Sequence, residues 1–345
     1  MVKNNRGFNS VSVIVPCYQE VNYIEEFVNT FFSLDFADLS VELIVADGLS
    51  DDGTAEILED LKSLYSSLKV IKNAKRIVSS GLNLAVSCAS GEIIVRMDVH
   101  SKYAKDYILK SVEQLLATNA DCVGGPWTVF KAEEGRGRAI ALAFDSKIGS
   151  GNALSRDESY SGATDTVYLG CWRKSYLIKV GLFDEDLVRN QDDELCLRIR
   201  KLGGKIYQSS EIKSTYFPRT EYTKLFNQWK QYGFWRPLVV RKHKSTGSIR
   251  QVVPAVFVLS CFAMVLLSFF LSSGYPIVIF TIAYSSSVIM AFCIQYPHES
   301  IPIIVRSIYA IAIIHFAYGW GFIRGSIFSI GSTEESFSKK NKISR

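Results

Sequence analysis

From Gln251 to His298 the chain carries no Asp, Glu, Lys or Arg. An uncharged apolar interval of that length holds two helices of roughly 20 residues each, the length that crosses the hydrocarbon core of a bilayer. Residues 252–271 and 275–296 are the two clear spans. Residues 301–323 form a third candidate, which contains Arg306 and His315. Arg306 lies near its start, where a long side chain snorkels to the interface, and His315 reads as an interhelical hydrogen bonder. Apolar length favours three spans over two. The 48% hydrophobic content of the 345 residues is high for a wholly soluble protein, and the excess lies here.

The part before this region is of another kind. Its first apolar run, residues 11–15, is too short for the core of a secretory signal, so this part is expected to stay in the cytosol. The seven cysteines show no Cys-x-x-Cys spacing and read as reduced, mostly buried thiols. Short apolar strands are predicted at 11–15, 41–45, 68–71 and 93–95, with helical patterns between them, as at Ile24, Phe27, Val28 and Phe31. Strand, helix, strand in this alternation predicts an α/β domain, a doubly wound parallel sheet with its turns gathered at one edge.

Ligands bind at that edge, outside the carboxyl ends of the strands. The first strand ends in Pro16-Cys17-Tyr18-Gln19-Glu20 and the second in Asp47-Gly48, followed by Ser50-Asp51-Asp52-Gly53-Thr54. The fourth ends in Arg96-Met97-Asp98-Val99-His100. Neither Gly-x-Gly-x-x-Gly nor Gly-x-x-x-x-Gly-Lys-[Ser/Thr] follows a strand, so the glycine-cradle routes to pyrophosphate are absent. A nucleotide would instead meet Tyr18 for stacking and Glu20 and Asp47 as acceptors. Asp98 and His100, two apart in an extended segment, could hold a divalent cation against phosphate oxygens. The alternative for Asp98 is a carboxylate that only caps the next turn.

The segments 15–20, 46–54 and 95–101, in that order and spacing, resemble glycosyltransferase family 2, and in detail its membrane-attached bacterial exopolysaccharide branch of succinoglycan type. The resemblance implies a GT-A, nucleotide-diphospho-sugar transferase fold, with Pro16, Tyr18, Glu20, Asp47, Asp52 and Asp98 on the nucleotide sugar and Mg or Mn on Asp98 and His100. Gln19 stands where many members have Asn, and His100 where the common Asp-x-Asp motif has its second Asp. Within Gln191-Asp192-Asp193-Glu194-Leu195, Asp192 matches the acid that acts as general base in this family, with Gln191 replacing a Glu. Glu194 and Arg198, spaced i,i+4, read as a helix salt bridge.

Gly124-Gly125-Pro126 is expected to be a turn near the ligand, and 148–163, rich in Gly and Ser, a mobile loop over the site. Between 200 and 250 there are twelve Lys or Arg against Glu211 and Glu221. Tyr222, Leu225, Phe226, Trp229 and Tyr232 recur at helical spacing there, predicting a basic amphipathic helix in the membrane interface. Packing against a protein core is the alternative. The basic run at 236–250 would hold the preceding domain on the cytosolic side, and no nucleic-acid partner is expected. The expected division is 1–218 for the GT-A domain, 219–250 for the interfacial helix and linker, 251–330 for two or three transmembrane helices and 331–345 for a polar, disordered tail. The whole reads as an inverting hexosyltransferase-like enzyme of the bacterial plasma membrane, moving a sugar from a nucleotide-diphosphate donor to a lipid-linked saccharide. A polyprenyl-phosphate glycosyltransferase and a non-catalytic sugar-nucleotide-binding membrane scaffold are the alternatives.

Overall fold

A computed structural model describes residues 9–245 and 247–330. The tail expected at 331–345 lies outside the described residues. Packing divides the chain into two units, one of residues 9–128 and 154–216, the other of 129–153 and 217–330. Residues 129–153, expected within the first domain, thus pack with the second unit.

In chain order the first unit begins β1 (Ser10–Cys17), α1 (Ile24–Phe32), β2 (Ser40–Asp47), α2 (Thr54–Leu64), β3 (Leu68–Lys72), α3 (Val78–Cys88) and β4 (Ile93–Arg96). Strands β1, β4 and the second half of β2 are almost continuously buried, as strands covered on both faces must be, while β3 at the sheet edge buries only Leu68. They pair in parallel, with Val13 of β1 opposite Leu43 of β2 and Val95 of β4. The unit continues with β5 (Ser101–Tyr103), α4 (Tyr107–Thr118), β6 (Cys122–Gly125) and β7 (Thr128–Val129). The chain then builds α5 (Gly135–Asp145) and α6 (Lys147–Ser150) in the second unit. It returns through a 3-10 turn (Leu154–Arg156), β8 (Gly162–Ala163), β9 (Tyr168–Arg173), α7 (Lys174–Lys179), α8 (Gln191–Lys201), β10 (Ile206–Gln208) and β11 (Ser214–Tyr216).

The eight-stranded sheet has the order β3-β2-β1-β4-β9-β6-β10-β8. It is not wholly parallel: β9 runs antiparallel to both neighbours, with Cys171 opposite Val95 and Val123. Gly124 and Gly125 are not a turn but the end of the buried strand β6. The close approach they permit is to protein, since a Cβ on Gly125 would lie 1.9 Å from the carbonyl oxygen of Ile212. The segment 148–163, expected as a mobile loop over the site, carries most of α6, the 3-10 turn and β8.

The second unit adds α9 (Tyr222–His243), a short 3-10 turn (Ile249–Gln251), α10 (Val253–Phe270), α11 (Tyr275–Gln295) and α12 (Ile301–Ile330). Among the described residues these last three helices are long and apolar enough to cross a membrane. Helix α9 is covered by protein over much of its length, with Leu225, Gly233, Trp235 and Arg236 among its buried residues. The packing alternative considered for it therefore holds over its second half.

Candidate active site

The site is built at the carboxyl edge of the parallel strands. After β1 the chain turns sharply, with Gln19 at φ 58, and is stitched to the loop after β2. Gln19 N–H donates to Ser50 Oγ at 2.9 Å, Glu20 N–H to Thr54 Oγ1 at 2.8 Å and Val21 N–H to an oxygen of Asp52 at 3.2 Å. Asp52 also accepts from the backbone and hydroxyl of Thr54. Burial would raise its pKa, but these bonds outweigh burial and hold it below the ordinary carboxylate range. Asp52, expected on the nucleotide, holds the two loops together in this structure. Asp47 is likewise engaged by its own loop, accepting from Ser50 N–H at 3.1 Å and from its hydroxyl at 2.6 Å.

Pro16 and Tyr18 line a shallow cleft that opens to solvent. Cys17, Gly48, Asn73, Arg76, Val188 and Arg189 complete much of its wall. The Arg76 guanidinium lies 5.9 Å from the centre of the Tyr18 ring. Asn73, Arg76 and Arg189 were not singled out from the sequence. Asn73 and Arg76 share the turn between β3 and α3, Arg189 comes from the loop before α8, and the doubly wound order brings the two segments to one place.

Glu20 does not face this cleft. Its carboxylate is 3% exposed and lies 2.7 Å from Nε2 of His100. The Tyr23 ring packs edge-on against the imidazole at 4.7 Å. With Glu20 accepting from Nε2, the neutral ring presents Nδ1 as its lone pair.

Arg96 is the centre of charge. It closes the buried strand β4 with a side chain only 6% exposed. Its Nε and Nη2 donate to Asp98 Oδ1 at 3.3 and 3.2 Å, and Nη2 also reaches Oδ2 at 3.3 Å. Nη1 is buried without a hydrogen-bond partner and points to Asp192 Oδ2, 4.0 Å away. Burial opposes the charge, but Asp98 and Asp192 outweigh it and raise the pKa of Arg96. Its signal in the sequence was a cation ending an otherwise apolar strand, two residues before Asp98.

Asp192 sits in the first turn of α8, where the helix dipole favours negative charge, and remains 44% exposed. The other acids of the cluster are occupied. Asp193 accepts from Thr166 Oγ1 at 3.2 Å. Glu194 is paired with Arg198 at 2.6 and 3.0 Å, the helix salt bridge expected from the spacing, and Arg198 also donates to the carbonyls of Val180 and Leu182.

No group of three or more His, Cys, Asp or Glu able to hold a metal occurs among the described residues. Asp98 and His100 would hold a cation only together with oxygens of a bound diphosphate. Their chemistry fits that. Asp98 supplies a hard oxygen on a side chain 28% exposed. The carboxylate of Glu20 behind His100 is the arrangement that orients histidines toward metals.

The sequence profile described as glycosyl transferase family 2 matches residues 12–167. The succinoglycan biosynthesis protein ExoA of Rhizobium meliloti (strain 1021) is 30% identical over 70% of this chain and 73% of its own length. The chain belongs to glycosyltransferase family 2. It is similar as well to an archaeal member from Methanococcus voltae, a dolichyl N-acetyl-α-D-glucosaminyl phosphate 3-β-D-2,3-diacetamido-2,3-dideoxy-β-D-glucuronosyltransferase. That protein is 26% identical over 68% of this chain and 75% of its own length. In structure, the family 2 chain matches the mannosyltransferase PcManGT from Pyrobaculum calidifontis with a TM-score of 0.56 at 16% identity. The match covers 93% of this chain and 87% of that one, which was solved with GDP-Man and Mn²⁺. The α/β core of this glycosyltransferase is of GT-A type, as expected.

Proposed function

We propose that the protein is an inverting glycosyltransferase that moves a sugar from a nucleotide-diphosphate donor, a UDP-sugar, to a lipid-linked saccharide during bacterial exopolysaccharide assembly. Its first unit would work at the cytosolic face of the plasma membrane. The observation that carries this reading is Arg96, which bonds Asp98 with one side of its guanidinium and faces Asp192 with the other. One fixed cation thereby connects a candidate phosphate-side carboxylate with a candidate base.

In this reading the nucleoside enters the cleft lined by Pro16, Tyr18, Asn73 and Arg76. A divalent cation, Mg or Mn, held by Asp98 and His100 would offset the charge of the departing diphosphate. Asp192 takes the proton of the acceptor hydroxyl as its oxygen attacks the anomeric carbon opposite the leaving group. The bond from that carbon to the phosphate oxygen breaks, and the nucleoside diphosphate leaves with the electron pair. A single displacement of this kind needs one base and no protein nucleophile. Arg96 places a fixed positive charge 4.0 Å from the Asp192 carboxylate.

Succinoglycan biosynthesis in the name of one relative and a dolichyl-linked sugar phosphate in that of another support the substrate classes. The test is to incubate the purified protein with a panel of nucleotide sugars and a membrane lipid extract, and to identify products by mass spectrometry. A glycosylated lipid-linked saccharide formed by wild type and not by Asp192→Asn supports the reading. Transfer only to a bare polyprenyl phosphate, unaffected by Asp192→Asn, overturns it, because that acceptor is already ionised.

A further inference from the structure

The three apolar helices of the second unit are not equivalent. Helices α10 and α11, about 27 and 31 Å long at 1.5 Å per residue, match a hydrocarbon core of about 30 Å. Few of their residues are covered: Ala255 and Val258 on α10, Val288 and Phe292 on α11. The rings of Phe257 and Tyr284 stack at 4.5 Å between them, and the loop at 271–274 carries no charge.

Helix α12 has protein along it. Helix α9 runs beside it in the same direction, from Tyr222 against Tyr309, through Trp229 against Tyr318, to Arg241, whose guanidinium donates to the carbonyl of Ser329. The two backbones touch: a Cβ on Gly233 would lie 2.0 Å from the carbonyl oxygen of Tyr318, and one on Gly325 would lie 2.1 Å from that of Phe234. Wherever α12 goes, α9 goes with it. Yet α9 carries Lys224, Lys230, Arg236, Arg241 and Lys242, and each cation drawn into hydrocarbon costs free energy. Crossing as a pair is therefore disfavoured.

The free side of α12 suggests what it does instead. Ile301, Val305, Tyr309, Phe316 and Ile327 are all exposed, and at 100° per residue they fall on one stripe. Arg306 and Arg324 are exposed too, five full turns apart and therefore on the same edge of that stripe. An apolar stripe bordered by cations is the pattern of a helix lying in a bilayer interface, ring and alkyl groups down, guanidinium groups among the headgroups.

We infer that α12 lies along the membrane surface on the side where α9 packs, and that only the α10–α11 hairpin crosses the bilayer. The occupant of the exposed stripe is the headgroup and acyl boundary of a bilayer containing anionic lipid. The chain then crosses twice, not three times as apolar length alone favoured, and both ends of α12 share a side. This rests on membrane attachment and not on the transfer reaction, so it stands or falls separately from it.

The test uses the full-length chain in intact bacterial cells. Ser272→Cys, in the α10–α11 loop, and Ser300→Cys, at the start of α12, are treated with a membrane-impermeant maleimide, and peptide mass spectrometry assigns each label to its residue. Two fusions after Arg345, one fluorescent only in the cytosol and one enzymatically active only outside it, report the far end. Label on Ser272→Cys in intact cells, label on Ser300→Cys only after permeabilisation, and a fluorescent fusion are expected. Activity of the outside reporter shows that α12 spans. Label on Ser300→Cys in intact cells, or on Ser272→Cys only after permeabilisation, removes the hairpin reading as well.

Discussion

The Glu20 carboxylate, almost fully buried, lies 2.7 Å from Nε2 of His100. The pair joins the loop after β1, which lines the cleft at Tyr18, to one proposed cation ligand in the segment after β4. Glu20→Gln keeps the shape but weakens the orientation of the imidazole. Loss of such a partner typically costs about 10- to 100-fold in metal affinity. Titration of labelled nucleotide with and without Mn²⁺ should show the loss only in the presence of the metal, and an equal loss in both conditions would instead mark Glu20 as a nucleotide contact.

Asp192→Asn should lower kcat by about 10²- to 10⁴-fold, roughly 3 to 5 kcal/mol of barrier, with donor affinity nearly unchanged. Asp193→Asn should cost far less, because Asp193 is bonded to Thr166. An active Asp192→Asn beside a dead Asp193→Asn in the same steady-state assay would move the base by one residue.

Glu194→Gln separates stability from chemistry in the same cluster. Glu194 is buried against Arg198, which also holds the carbonyls of Val180 and Leu182. Thermal unfolding should therefore register a loss of about 1–3 kcal/mol, while kcat of the folded fraction stays near wild type.

Glu42 links three segments, accepting from Ser12 Oγ at 2.5 Å and from Ser90 N–H at 2.6 Å, with Lys69 Nζ at 2.6 Å. Burial raises its pKa, but Lys69, Ser12 and Ser90 together outweigh burial and hold it down at about 2. A depressed carboxylate stabilises the fold above its unfolded pKa of about 4.3 and loses that contribution as pH falls toward the folded value. Denaturant midpoints of wild type should drop between about pH 5 and pH 2 more steeply than those of Glu42→Gln. Parallel curves would show that the bonds to Glu42 add nothing.

Gly325→Leu probes the α9–α12 contact. A side chain there meets the carbonyl of Phe234 at its first carbon, and overpacking of this kind costs typically 1–3 kcal/mol. The melting temperature in detergent should fall, whereas Gly274→Ala, at a glycine whose Cβ would meet nothing within 4 Å, should leave it unchanged.

The alternation of strands and helices was legible because Val11, Val13, Leu43, Val45 and Ile93 are buried strand residues of the kind the pattern demands. Asp98 and Asp192 stand out in the sequence because each follows or opens a regular element, and the structure brings both to Arg96. What local pattern could not convey was order across the sheet. Nothing within 168–173 says that β9 inserts antiparallel between β4 and β6. Gly124-Gly125-Pro126 looked like a turn because glycine and proline punctuate chains, and only the carbonyl of Ile212 pressing on β6 explains glycine there. The partner of Glu20, His100, is brought beside it only by the fold, and so is Val21, whose backbone N–H donates to Asp52.

The antiparallel strand β9 has a mechanical meaning. Running against its neighbours, it starts at the edge where β4 and β6 end, so Thr166 and Tyr168 arrive beside Arg96 and α8. Asp98 follows a strand of this ladder, and the helix that carries Asp192 is tied to the segment entering β9 by the bond from Thr166 to Asp193. One reversed strand thus brings a helix that begins with three acids up against a loop that holds another, with the cation of Arg96 between them.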